Sequence, residues 1–310
     1  MNDSVLRLTD LTKKYGDFTA LDHINLSVEK GKTYGFIGQN GAGKTTMIRQ
    51  VCGLSYPTEG TIELFGKSDE KGLRKGRERM GCMVEMPALY PGMTAHGNME
   101  TVRLQRGIPD KRVIEKTLEM VGLTDTGNKK VKHFSLGMKQ RLGIAMALIN
   151  DPEFLILDEP INGLDPQGIV EIREIIFRLN KEFGTTILIS SHILSELYQT
   201  VDNYIIVDHG KIIETLTHEE LDEKCRKHMA ITVDDVPKAA ALLEEKLHTT
   251  RFQVMPDKTI KLYDYLDDVR SVSEMLSVSG LILMGISVKG DSLEDYFISL
   301  IGGKGHVQSF

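Results

Sequence analysis

The amino-acid sequence predicts an α/β domain around a mainly parallel sheet, with an antiparallel β subdomain and a helical lobe, followed by a small α+β domain. Three observations carry that expectation. From Thr33 onward, short apolar runs, glycine-containing turns and helical stretches alternate, which is the rhythm of βα units. A charged stretch at residues 221–228 breaks the pattern, and a second one starts after it. The length, 310 residues, is generous for one core and short for three.

Each element has a local reason. Apolar–polar alternation over residues 5–8 and 24–28, on either side of Tyr15, predicts two antiparallel strands. Residues 33–37, 154–157 and 186–189 are apolar runs of strand length, and 44–52 and 167–183 carry helical periodicity between them. Residues 94–122 and 138–149 are helical in period and are expected to form the lobe. The turn Asp208-His209-Gly210 between 204–207 and 211–214 is a hairpin signal. The second pattern runs strand 230–233, helix 236–247, strands 252–255 and 259–263, helix 267–278 and strand 281–288, with a further helix over 292–301. That βαββαβ order is the ferredoxin-like one. Helix 236–247 places Ala239, Leu242, Leu243 and Leu247 on one face, a core-facing stripe. The apolar runs 154–157 and 281–284, bounded by charge or glycine, read as buried strands. The expected domains are 1–220 and 229–310, without internal repeats.

Composition removes several function classes. Hydrophobic residues make up 41% and charged residues 26%, and no run approaches the roughly 18–20 apolar residues that cross a bilayer. A membrane role would therefore need a partner. The net charge of -6 offers no basic patch for a phosphate backbone, so nucleic acid is not an expected partner. Cys52, Cys82 and Cys225 lack CxxC spacing, which suggests neither a disulfide framework nor a zinc site and fits a reducing cytoplasm. Residues 1–10 carry early charges and no long apolar stretch, so no secretory signal is expected.

Gly38-Gln39-Asn40-Gly41-Ala42-Gly43-Lys44-Thr45 fits the P-loop pattern G-x-x-x-x-G-K-[ST], after a strand and at the start of a helix, as the motif requires. Glycines let the backbone close on phosphates, so that successive N–H groups and the helix N-terminus meet the anion. Lys44 supplies positive charge to the β- and γ-phosphates. Thr45 supplies a hydroxyl to Mg²⁺, which keeps most of its other ligands as water and phosphate oxygen. The expected nucleotide-binding set runs from Gly38 through Thr46, with ATP and Mg²⁺ as ligands.

Phe154-Leu155-Ile156-Leu157-Asp158-Glu159 is an apolar strand ending in two acids, at the sheet edge where open α/β folds bind ligands. Asp158 suits the metal shell, and Glu159 suits an attacking water, as general base or positioning group. Alone, the pattern is an ordinary strand entering a solvated loop. With Lys44 in the same chain, the acids have a substrate to act on.

Phe134-Ser135-Leu136-Gly137-Met138-Lys139-Gln140-Arg141, just upstream of the acidic strand, resembles the signature loop of ABC transporter ATPases. The family's usual form has two glycines after the serine and then a glutamine. Here Leu136 replaces the first glycine and Met138 the glutamine, while Ser135 and Gly137 remain. The resemblance implies that this loop heads a helix facing the γ-phosphate held by a partner subunit's P-loop; Ser135 is also a plain N-cap by position. Tyr15, in Lys13-Lys14-Tyr15-Gly16, resembles the aromatic that stacks on adenine. Asn162-Gly163-Leu164-Asp165 resembles the loop crossing between subunits, and His192, in Ser190-Ser191-His192, resembles the histidine that reaches the γ-phosphate. By residue type alone, Tyr15 reads first as a strand-end packing residue and His192 as a capping residue; the resemblance carries the functional roles.

Most of the family carries a glutamine in the loop linking nucleotide to membrane subunit. Glu85 stands there, in Cys82-Met83-Val84-Glu85-Met86-Pro87-Ala88-Leu89-Tyr90-Pro91. A carboxylate can meet Mg²⁺ or its waters but cannot donate a hydrogen bond as an amide does. Glu85 before that Pro-Ala-Leu-Tyr-Pro run, the ending Ser292-Leu293-Glu294-Asp295-Tyr296-Phe297 and the extra C-terminal domain are similar to the bacitracin- and lantibiotic-exporting branch. The resemblance covers about residues 4–220. It implies an ATP-hydrolysing P-loop NTPase of the ABC type, with Lys44, Glu159 and His192 catalytic, Thr45, Asp158 and Glu85 at the metal, and Ser135, Gly137 and Asp165 completing a nucleotide site between two copies. It also implies a separate transmembrane permease, a place on the cytoplasmic face of the plasma membrane, and export of an antimicrobial peptide or related amphiphile. The alternative is the ATPase subunit of another ABC transporter, for a drug, lipid or ion, or an importer. Ribosome-acting ATPases resemble two cassettes in one chain, and chromosome or DNA-repair relatives need a long coiled-coil insertion; the sequence has neither feature.

Overall fold

Two twelve-residue strands, β1 (Ser4–Tyr15) and β2 (Phe18–Glu29), open the chain as an antiparallel hairpin, and β4 (Glu59–Leu64) joins the other edge of β1 to make a three-stranded sheet. Register shifts between Leu8 and Leu11, and again before Lys13, let β1 and β2 pair well beyond the short alternating stretches that announce them. The computed structural model describes residues 4–290 and 293–302. It comprises two compact units, Met1–His218 and Glu219–Phe310.

In the first unit, β3 (Thr33–Ile37) leads into α1 (Lys44–Val51), and α2 (Glu70–Glu78) leads into β5 (Met80–Met83). The lobe follows as α3 (Ala95–Gln105), α4 (Arg112–Met120) and α5 (Leu136–Leu148). The helical stretch over 94–122 is thus two helices, divided where Gly107 takes φ +66°. Then come β6 (Phe154–Asp158), α6 (Pro166–Lys181), β7 (Thr186–Ser191), α7 (Leu194–Tyr198), β8 (Asn203–Asp208) and β9 (Lys211–Thr217). The six-stranded sheet has the order β5-β6-β7-β3-β8-β9, with every neighbour parallel except the closing β8–β9 hairpin. All five residues of β3 and of β6 are buried, as strands covered on both faces require.

Helix α5 is buried over much of its circumference, and Gly143 on it makes room for a neighbour. A Cβ there would lie 2.5 Å from Pro87 Cβ and 2.7 Å from Met83 Sδ, so the loop after β5 packs onto helix backbone. Five elements went unannounced: β4, α2, β5, α7 and the helix at His218–Cys225. Helix α2 offers one leucine among charged residues and glycine, which leaves no apolar stripe to read.

The second unit begins with α8 (His218–Cys225) and continues as β10 (His228–Val233), α9 (Val236–Leu247), β11 (Phe252–Val254), β12 (Ile260–Leu262), α10 (Val269–Val278), β13 (Leu283–Lys289) and α11 (Leu293–Gly302). Its sheet is antiparallel in the order β11-β12-β10-β13, the split arrangement of the ferredoxin-like fold. Met229, Ile231, Ile260 and Leu262 of the sheet pack with Ala239 and Leu243 of α9 and Val272 and Leu276 of α10. The run 281–284 is not the buried strand expected from its apolarity. Leu281 is buried, but Ile282 and Met284 are 67% and 63% exposed, because β13 is an edge strand paired only with β10. Of the ending that carries the branch resemblance, Ser292 lies outside the described residues.

Candidate nucleotide-binding site

The site is built on the loop joining β3 to α1, whose backbone packs directly on the backbone of β8 and β2. At Gly38 a Cβ would lie 2.4 Å from the Val207 carbonyl oxygen, and at Gly43, where φ is +106°, 2.7 Å from that of Ala20. Only glycine fits at either place. Gly210, in the β8–β9 turn, donates its N–H to the Ala42 carbonyl at 3.0 Å and accepts from the Asp22 N–H at 2.8 Å, closing the loop from beneath. Among the described residues, the N–H groups of Gly41, Gly43, Lys44 and Thr45 bond no carbonyl. A run of available donors at the dipole-positive end of α1 is what a phosphate requires, so the residues present fit a nucleotide's phosphates.

Lys44 is 5% exposed, and a buried ammonium must be paired. Its Nζ donates to the Gly38 carbonyl at 2.6 Å and the Gln39 carbonyl at 3.3 Å, and lies 3.2 Å from Glu159 Oε1. The other oxygen of Glu159 is 2.9 Å from His192 Nδ1. Lys44, Glu159 and His192 are therefore joined in one polar chain through the two oxygens of Glu159. Glu159 is held at φ +49°, in the left-handed region that few non-glycine residues adopt.

Asp158, fully buried at the end of β6, receives one hydrogen bond on each oxygen. Thr45 Oγ1 donates to Oδ2 at 2.9 Å and Ser190 Oγ to Oδ1 at 2.6 Å. Ser190 Oγ also accepts the Glu159 N–H at 2.9 Å. Burial pushes the carboxyl of Glu196, on α7, above its ordinary range; the charge of Glu159 adds to this, and His192 and Arg173 oppose it. No cluster of three or more His, Cys, Asp or Glu side chains is arranged around a metal position among the described residues. Thr45 and Asp158 offer two oxygens, which suits Mg²⁺, a cation that accepts few protein ligands and takes phosphate and water for the rest.

The other expected site residues fall in three places. Tyr15 ends β1 half exposed, with Lys13 Nζ 4.9 Å from its ring centroid, so it is not a packed core tyrosine. Ser135 and Asp165 cap the N-termini of α5 and α6, their side chains accepting from the N–H groups of Met138 at 3.2 Å and Gly168 at 2.9 Å. Gly137 lies beside α6, where an added Cβ would be 3.9 Å from both Gly168 Cα and Leu164 Cδ2. A Cβ on Gly163 would lie 3.4 Å from Leu136 Cδ2, so the signature loop and the Asp165 loop adjoin. Glu85, at φ +58°, pairs with Arg49 rather than with the Lys44 cluster.

Sequence reasoning named Ser190 only as a neighbour of His192 and passed over Arg49. Ser190 had a signal: Asp158 and Ser190 are register partners at the ends of adjacent parallel strands, where polar residues converge. Arg49 had none, since its partner is 36 residues away in a loop.

A family model for ABC transporters matches residues 21–162. The bacitracin transport ATP-binding protein BcrA of Bacillus licheniformis is 44% identical over 97% of this chain and 98% of its own length. The lantibiotic transport ATP-binding protein SrtF of Streptococcus pyogenes is 45% identical over 67% of this chain and 89% of its own. Among solved structures, the chain resembles cbiO1 of Clostridium perfringens, part of the ABC transporter complex cbiONQ (TM-score 0.66, 28% identity, 72% of this chain and 92% of that one). It also resembles the ATP-binding cassette MJ0796, in a dimeric post-hydrolysis state bound to ADP and Pi (TM-score 0.62, 26% identity, 69% of this chain and 98% of that one). With a cradle for phosphates, a buried lysine and paired acids on the first unit, and relatives matched over nearly the whole length, this chain belongs to the ATP-binding subunits of ABC transporters.

Proposed function

We propose that this chain is the ATP-hydrolysing subunit of a bacterial exporter that moves an antimicrobial peptide of the bacitracin or lantibiotic kind through a separate transmembrane subunit. The observation that carries the transported class is the 44% identity to the bacitracin transport protein over 97% of the chain, which includes the second unit as well as the cassette. For hydrolysis the support is the cluster of Lys44, Thr45, Asp158, Glu159, Ser190 and His192.

In this reading the N–H groups of Gly41, Gly43, Lys44 and Thr45 grip the β- and γ-phosphates and Tyr15 offers its exposed ring to adenine. Mg²⁺ bound with the nucleotide would draw charge from the phosphate oxygens. Thr45 and Asp158 would hold it, and Ser190 fixes the orientation of Asp158. Lys44 exchanges the Glu159 carboxylate for the γ-phosphate, and the freed carboxylate accepts a proton from the attacking water. His192, now beside Glu159, keeps that carboxylate aimed and stands ready to donate to a phosphate oxygen. Ser135, Gly137 and Asp165, on two adjoining loops, serve the site of a second copy. The chain then works as a homodimer at the cytoplasmic face of the membrane, where a helix of the permease enters the groove lined by Leu54, Met86, Pro87, Val102 and Met146. No helix among the described residues is long and apolar enough to cross a membrane itself.

Co-expression with its neighbouring permease in a peptide-sensitive host tests the proposal. Bacitracin or lantibiotic tolerance should rise, and Lys44→Ala should abolish the rise. Unchanged tolerance with an active ATPase would sink the peptide assignment and leave the enzymatic one standing.

A further inference from the structure

The loop after β5 is seated at both ends but tethered by little between them. Val84 packs against the core of the first unit, and Pro87 rests on the backbone of α5 at Gly143. Between them, Glu85 takes φ +58° with its side chain 58% exposed, and its Oε1 meets Arg49 Nη2 at 2.5 Å. Arg49 is four residues beyond Thr45 on α1, so the two share a face of that helix one turn, about 6 Å, apart. Thr45 in turn bonds Asp158.

We infer that Arg49 is a positioning residue that parks the Glu85 carboxylate one helical turn away from the Thr45–Asp158 pair, and that Glu85 must leave Arg49 to reach a divalent cation there. The inference rests on the nucleotide reading above. Exposed ion pairs contribute little, so the hold is weak enough to be exchanged for a doubly charged ion and strong enough to bias the loop while that ion is absent. The left-handed φ of +58° at Glu85 costs energy that the pair with Arg49 helps to offset.

The test is equilibrium titration of the full chain with a fluorescent ATP analogue, in Mg²⁺ and in EDTA. Arg49→Gln should tighten binding about two- to fivefold in Mg²⁺, the range an exposed pair allows, and leave the EDTA value unchanged. In a Glu85→Ala background the same substitution should do nothing. Arg49→Lys, which keeps the charge and loses the planar fork, should give a smaller shift of the same sign and serves if Arg49→Gln does not fold. An equal shift with and without Mg²⁺ would mean that Arg49 acts on the phosphates directly, and would overturn the inference. So would a shift that persists without Glu85, or none at all. Failure of the unaltered chain to bind the analogue in either buffer would instead remove the nucleotide reading, and this inference with it.

Discussion

Ser190→Ala removes one oxygen that serves both acids at the end of β6, Asp158 and Glu159. Its hydroxyl donates to Asp158 Oδ1 at 2.6 Å and accepts the Glu159 N–H at 2.9 Å, and both Ser190 and Asp158 are buried. A hydrogen bond to a charged group contributes about 1.5–3 kcal/mol, and orphaning a buried N–H costs about 1–3 kcal/mol. Thr45 continues to satisfy the second oxygen of Asp158, so the carboxylate does not lose every partner. The expected loss is about 3 kcal/mol, a large share of the roughly 5–15 kcal/mol that holds an ordinary domain together. Urea denaturation followed by far-UV circular dichroism should show a lower midpoint at unchanged slope. Ser191→Ala is the matched control, because among the described residues that hydroxyl bonds the local Ile193 N–H at 3.0 Å and carbonyl at 3.4 Å and neither acid. Glu159 also loses the anchor of its left-handed backbone, so ATP turnover should fall by at least about tenfold. A loss under about 1 kcal/mol, or one equal to that of Ser191→Ala, would refute the reasoning.

Glu159→Gln should lower phosphate release about 10²–10⁴-fold while ATP affinity holds or rises, since Lys44 no longer faces a competing carboxylate; near-normal turnover would take Glu159 out of the mechanism. Ser135→Arg should block ATP-driven dimerisation in size-exclusion chromatography and cost only about 1 kcal/mol of stability from the lost cap; dimerisation at the normal ATP concentration would refute a cross-subunit role. Hydrogen bonding from Cys52 brings the exposed Cys82 thiol down to about 7 and pushes that of Cys52 up. Alkylation of Cys82 should therefore climb as pH rises through about 7, the thiolate being the reactive form, and Cys52→Ala should move the midpoint towards the ordinary thiol value near ~8.5. A midpoint unmoved by that substitution would show that Cys52 does not donate.

The parts of the site that were legible in the sequence are those whose chemistry is contiguous. The phosphate cradle occupies eight successive residues, Gly38 to Thr45, and Asp158 and Glu159 sit together at a strand end, so spacing alone brings them forward. Ser190 acts across strand register, legible only once Asp158 and Ser190 are recognised as ends of adjacent parallel strands, and Arg49 acts across a loop, which leaves no mark on its neighbours in sequence. The fold divides in the same way. Strands such as Phe154–Asp158 are apolar up to their final acid because both faces are covered, and they announce themselves. Helix Glu70–Glu78 has one buried residue, Gly76, and its stability comes from an Asp69 cap and tertiary context that composition does not record. The run at 281–284 misled because apolarity was equated with burial, whereas an edge strand can leave such residues open.

The seating of the phosphate loop on Gly210 bears on which pieces of this chain can act alone. Every recognisable motif from Tyr15 to His192 lies before that turn, so a fragment ending near residue 200 would carry them all. It would lack the N–H that reaches Ala42 and the carbonyl that holds Asp22, and it would lack Val207, on which Gly38 lies. Limited proteolysis should therefore separate two properties usually taken as one. Cleavage beyond Thr217 leaves a nucleotide-competent core, whereas cleavage within the β8–β9 turn yields a piece with a full complement of motifs and a slack, weakly binding loop. The smallest functional unit is set by where the backbone of the loop finds its support, roughly 170 residues downstream of the glycines it steadies.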